Sequence, residues 1–310
     1  MKKLTVVGAI VGALLFTLSM GTTAIAAEDY YEFSEYSGPG AEYDVACYGN
    51  TIYYGAGTAV YAVDVSVPDI TKKDEPRYLP NGTPNPNYQP RTFSNVRNII
   101  LTPPAGVSLN TGSVGEMYVD DKYIYTTGGS NGNQVYAFDK TTGQYVAQVV
   151  NNKNTKAPSA SHLSYGGGKW WMSNENRQVW SSTGGNWQYE FTWNDMAGWH
   201  GDGMEYVNGH IFVSDMTSNY IAMWDYVNGQ WQETKRFSYT EPGGENKYVE
   251  GMGFGALGHF WAGSGSEIYE LGGGTIGHYV TPVPVPGSAA LFLLGMMGLA
   301  GFRKKKIFNT

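Results

Sequence analysis

Short apolar runs recur along the chain, each ended by glycine, asparagine or aspartate. Within them β-branched and aromatic residues dominate, and no helical periodicity is sustained outside the two ends, so the pattern predicts β-strands joined by tight turns. One recurring strand ends in an acid: Val60-Tyr61-Ala62-Val63-Asp64, Val135-Tyr136-Ala137-Phe138-Asp139 and Ile221-Ala222-Met223-Trp224-Asp225. Weaker copies begin at Val179 and Ile268, so successive starts lie 75, 44, 42 and 47 residues apart. A turn and an aromatic strand precede each copy, as in Lys122-Tyr123-Ile124-Tyr125 and Gly209-His210-Ile211-Phe212-Val213. Three copies continue into a further hairpin, at Thr142-Gly143, Gly185-Asn186 and Asn228-Gly229.

The unit therefore reads strand, turn, strand, loop, strand, turn, strand, which is the content of one propeller blade. A lone four-stranded sheet leaves an apolar face wet, whereas blades stacked around an axis cover both faces of each other. The expected fold is all-β: a β-propeller of five four-stranded blades, with six as the alternative count and a sandwich or solenoid as the alternative architecture. The long first interval holds residues 67–113, read as an insertion or a degenerate blade. Its Pro76 to Pro90 stretch predicts an extended loop, and Phe93 to Leu101 a strand or two. Tyr30 to Tyr36 and Ile276 to Val280 are expected to complete a shared blade and close the ring.

Composition narrows the class. Forty-two glycines supply the turns, and 24 Tyr, 12 Phe and 9 Trp supply the bulk of a core. The single cysteine, Cys47, leaves no internal disulfide, so packing alone must hold the body together. Setting aside the basic residues of the two ends leaves 14 basic against 27 acidic side chains. Such a surface repels nucleic acid and disfavours it as a partner.

The ends read as sorting signals. Lys2 and Lys3, an uncharged run from Leu4 to Met20, and a small-residue stretch with Ala24, Ala26 and Ala27 have the three zones of a secretory signal peptide over 1–27. Its partners would be the translocon and signal peptidase. At the other end, Val283-Pro284-Val285-Pro286-Gly287 leads into the uncharged segment Ser288 to Phe302 and then Arg303, Lys304, Lys305 and Lys306. The segment is short for a permanent span of roughly 20 residues, and the basic cluster acts as a cytoplasmic stop.

This second layout, over 282–310, resembles a PEP-CTERM sorting signal in its V-P-x-P-G form, with Val285 where the commonest form has glutamate. The resemblance implies an exosortase as partner, transient inner-membrane anchoring by a short hydrophobic helix, and delivery to the cell surface or exopolysaccharide matrix. It implies nothing about the body between the signals, residues 28–281.

Candidate chemistry lies before the innermost strands. Aligning the repeats places Asp202 with Glu250, and brings Glu116, His162 and Asp44 within one or two positions of the same place. In a propeller those positions converge on one mouth of the central channel. Clustered carboxylates either bind a hard cation or rise in pKa, so Ca²⁺ is a candidate cofactor there, with Asp202 and Glu250 as its ligands, the alternative being acids that cap turns and solvate the channel entrance. His200 and Glu205 flank Asp202 and join the candidate set. Trp187, Trp193, Trp199 and Trp231 sit in or beside loops, where their rings would stack on exopolysaccharide sugars. Trp170, Trp171, Trp224 and Trp261 are expected between blades.

No nucleophile motif, phosphate loop or zinc spacing is present, so no catalytic residue is assigned. The expected function is an exported surface or matrix propeller that binds a partner, glycan or ion. The alternatives are a Ca²⁺-assisted hydrolase or lyase, and a purely structural matrix component.

Overall fold

The computed structural model describes residues 29–280, apart from 41–42, 57, 110–116, 197, 199, 216–219 and 239–248. Both sorting signals lie outside the described residues, as do Glu116 and Trp199. Among the described residues no helix is long and apolar enough to cross a membrane.

The described residues begin with β1 (Tyr31–Tyr36) as their first strand and then build four blades in sequence order. The first holds β2 (Asp44–Tyr48), β3 (Thr51–Ala56), β4 (Ala59–Ser66) and β5 (Thr92–Ile100). The second holds β6 (Met117–Val119), β7 (Tyr123–Gly128), β8 (Gln134–Asp139) and β9 (Tyr145–Val150). The third holds β10 (His162–Gly166), β11 (Lys169–Ser173), β12 (Gln178–Ser182) and β13 (Gln188–Thr192). The fourth holds β14 (Gly201–Val207), β15 (His210–Asp215), β16 (Tyr220–Val227) and β17 (Gln230–Ser238). The fifth joins β18 (Met252–Phe254), β19 (Phe260–Gly263) and β20 (Ile268–Gly272) to the first strand of the chain, with Tyr36 opposite Ile268 and Tyr31 opposite Gly272. All pairings within blades are antiparallel. The molecule is a five-bladed β-propeller.

Burial follows from stacking. Five apolar clusters fill the five interfaces between neighbouring blades. Middle strands are covered on both faces and read as continuous apolar runs; every residue of β20 is buried. Outer strands alternate or lie open, as in β5, where most side chains are exposed. The tight turns follow the expected chemistry. Asn208-Gly209 and Asn228-Gly229 hold both residues at positive φ, the mirror-image turn whose twist matches a hairpin.

The long interval is an insertion, not a sixth blade. It contributes one outer strand, β5, and a loop over 67–91 that folds onto the fifth blade. Arg77 pairs with Glu32 at 3.2 Å and Glu35 at 3.1 Å on β1. Arg91, fully buried, binds Glu270 of β20 through Nε at 2.7 Å and Nη2 at 2.9 Å, and Asp74 through its outer nitrogens. The loop thus clasps the two strands that close the ring.

One closing expectation is corrected. Tyr31–Tyr36 does complete the last blade, but Ile276–Val280 adds no strand. Gly273 and Gly274, at φ +64° and +52°, turn the chain off the sheet into a short helix, α1 (Gly277–Val280).

Candidate functional site

The inner strands β2, β6, β10, β14 and β18 neighbour one another around the axis. They run in one sense, so their starts share one mouth and their hairpin turns the other. Backbones approach closely here. A Cβ on Gly251 would lie 2.3 Å from Tyr43 O, and one on Gly203 2.7 Å from Glu250 O, so glycine is required at both places.

At the first mouth the structure brings together Asp44, His162, Asp202 and Glu250, as the repeat alignment expects. Asp44 opens β2 and His162 opens β10, both buried, with His162 Nδ1 4.0 Å from Asp44 Oδ1. That gap is too long for a hydrogen bond. Asp44 Oδ2 and His162 Nε2 are both buried and have no hydrogen-bond partner among the described residues. Burial raises the Asp44 carboxyl well above its ordinary range, partly offset by the Met117 and Val45 N–H groups. Burial pushes the His162 imidazole down to about 3, helped by the nearby His200. Burial thus disfavours the charged form of both groups, and each keeps one buried atom without a partner, a costly arrangement in a protein interior.

Asp202 is better served. Its Oδ2 lies 2.8 Å from His200 Nδ1, and His200 Nε2 lies 3.4 Å from Glu175 on the β11–β12 turn. Burial still raises Asp202 to about 6. For His200 burial opposes the charge, yet the Asp202 and Glu175 carboxylates outweigh it and raise the imidazole. Glu250, half-buried, is raised by burial and by the charge of Asp202. Sequence reasoning missed Glu175, because nothing in a turn acid signals which histidine it will face across two strands.

Glu205 does not join this mouth. Three residues along β14 from Asp202, past a register irregularity between Gly201 and Met204, it lies toward the hairpin end of the strand. There it lines a cavity of about 290 Å³ with Cys47, Tyr118, Tyr165, Tyr206 and Phe254. Ser164 Oγ donates to Glu205 at 3.0 Å, while burial raises the carboxyl to about 8. Burial likewise pushes the Cys47 thiol up, so it stays protonated.

The tryptophan expectation is largely overturned. Trp187 is fully buried between the second and third blades, its Nε1 donating to Asn133 O at 2.6 Å. Trp193 is equally buried between the third and fourth blades. Both loops fold back into the interface, so neither ring can meet a sugar. Trp231 alone of the described set is partly open, in a groove with Tyr226, Trp171 and Tyr206. Trp170, Trp171, Trp224 and Trp261 pack between blades as expected.

Among the described residues one cluster brings three potential metal-ligating atoms together: Asp74, His259 and Glu270. Arg91 already binds both carboxylates, and His259 Nδ1 lies 2.7 Å from Glu270, so the cluster is a closed ion network. Despite burial, His259 and Arg91 hold the Glu270 carboxyl below its ordinary value.

The five blades and the two mouths define a channel-bearing propeller. The glutaminyl cyclase of Myxococcus xanthus superposes with a TM-score of 0.48 at 10% identity, over 78% of this chain and 95% of that one. BamB from Moraxella catarrhalis superposes with a TM-score of 0.34 at 16% identity, over 76% of this chain and 60% of that one. No protein-family model and no curated protein matches the sequence. Likeness this distant transfers no residue's role.

Proposed function

We propose that this is an exported, exosortase-sorted surface propeller that binds a divalent cation between Asp44 and His162, at the mouth they share with Asp202 and Glu250. The supporting observation is the pair of buried, unpartnered atoms, Asp44 Oδ2 and His162 Nε2, on side chains that face each other across the channel. The nearest approach of the two side chains, 4.0 Å between Asp44 Oδ1 and His162 Nδ1, is close to the roughly 3–4 Å that separates two donors on one cation, so a shared ion requires only that the carboxyl and the imidazole turn toward it. The imidazole adds a nitrogen donor to the oxygens expected for Ca²⁺, which favours Zn²⁺ or another transition metal alongside it.

The test is thermal unfolding of the purified protein in chelator, Ca²⁺ and Zn²⁺. At 100 times Kd a ligand adds about 2.7 kcal/mol, a rise of several degrees in Tm. The rise should vanish in Asp44→Asn and His162→Gln. An unchanged Tm with every cation overturns the reading.

Sorting is tested separately. Pro284→Ala/Pro286→Ala should leave Tm unchanged while the exported protein keeps its tail by mass spectrometry. Tail removal at the normal rate would refute exosortase recognition.

A second reading, a propeller enzyme, is favoured by the position of His200 between Asp202 and Glu175. A histidine held this way is suited to general acid–base work. It predicts that Asp202→Asn abolishes turnover while cation binding by Asp44 and His162 persists.

A further inference from the structure

At the opposite end of the channel, we propose a second, independent site that takes a small organic ammonium ion, with Glu205 as its counter-ion and the rings of Tyr118, Tyr165, Tyr206 and Phe254 as its walls. The proposal does not rest on the cation site at the first mouth.

The cavity is about 290 Å³, the size for a ligand of a few heavy atoms. Each inner strand contributes to it: Cys47 from β2, Tyr118 from β6, Tyr165 from β10, Glu205 and Tyr206 from β14, and Phe254 from β18. The lining holds several aromatic rings, one carboxyl and no basic side chain. Rings present their negative faces to a cation, an attraction that adds to that of the carboxyl.

Other ligand classes fit worse. A metal ion would find a single carboxylate and a thiol that stays protonated. An anion would find no basic side chain in the lining. The carboxyl itself is fixed in place. Ser164 Oγ accepts from Tyr206 N–H at 3.0 Å and donates to Glu205, which orients the carboxyl toward the cavity that it lines.

Binding a cation should draw a proton off Glu205, because a buried carboxyl prefers to be neutral until a positive charge arrives. The groups facing it are Asp44 and Cys47 on β2, which oppose its ionisation or stay neutral, and the phenols of Tyr118, Tyr165 and Tyr206. Phe254 on β18 offers only its backbone N–H.

Isothermal titration with choline and with its uncharged isostere 3,3-dimethyl-1-butanol tests this. Choline should bind at least about 10-fold tighter than the alcohol, a difference of ~1.4 kcal/mol. Its heat near pH 7 should depend on the buffer, reporting proton release. Glu205→Gln should weaken choline about 10-fold or more without lowering Tm. Tyr165→Ala, at a rim ring that is 39% exposed, should weaken it several-fold and guards against a folding defect in the first variant. His162→Gln, at the other mouth, should leave choline binding intact. Equal affinity for choline and the alcohol, or unchanged binding in both Glu205→Gln and Tyr165→Ala, overturns the proposal.

Discussion

Two of the buried polar clusters among the described residues are built on opposite plans. In the clasp, Arg91, Glu270, Asp74 and His259 satisfy one another, with Ser34 Oγ adding a further bond to Glu270 at 2.6 Å. At the channel mouth, Asp44 and His162 stand apart with an unpartnered atom each. Equal burial, then, says nothing about role. Charge that is fully paired specifies a fold, and polarity left unpaired waits for something else. The shifts agree: the clasp holds Glu270 ionised, while the mouth drives Asp44 and His162 toward neutrality from opposite sides.

Breaking the clasp should have the largest effect. Arg91→Met would strand the Glu270 carboxylate at zero exposure, and losing one partner of a buried pair costs about 3–5 kcal/mol. Urea unfolding should show that loss, and Arg91→Met/Glu270→Gln should recover much of it. A cost below ~1 kcal/mol for Arg91→Met would mean that the two clusters do not differ in kind.

The mouth should instead reveal itself through pH. His162 ionises near 6.5 when exposed but only near 3 in the fold. The stability from keeping it neutral is complete above 6.5 and drains away as pH falls toward 3. His162→Gln should flatten that acid limb of the Tm profile. Glu205 works the other way. Its folded pKa of about 8 lies above the ordinary 4.5, so its favourable term is complete in acid and lost as pH rises through 8. Glu205→Gln should therefore raise Tm more at pH 9 than at pH 5, by a smaller margin than the clasp loses. A parallel pair of profiles for wild type and either variant would remove the assignment.

The blade repeat was legible because each unit is local: its strands pair through short turns, and turn chemistry is written in adjacent residues such as Asn208-Gly209. The mouth was legible for the same reason, since equivalent positions in repeats must converge on one axis. What stayed hidden is non-local. Arg91 and Glu270 stand 179 residues apart, and no pattern near either one announces the other. Trp187 and Trp193 border glycine- and asparagine-rich turns, which reads as exposure, yet their loops double back between blades. Glu205 looked like a neighbour of Asp202 because three residues are close in sequence, although the strand carries it toward the hairpin end, where it lines a cavity that Asp202 does not.

Pairing β1 with β20 puts Ser34 in contact with Glu270, 236 positions later. During synthesis, therefore, the earliest strand has no sheet to join until nearly the whole body has emerged. The four consecutive blades can form as they appear, but the fifth gap stays open, with apolar β20-facing surface exposed, until the last strands arrive. That interval is when a newly made copy is most exposed to sticking to its neighbours, and the clasp closes it.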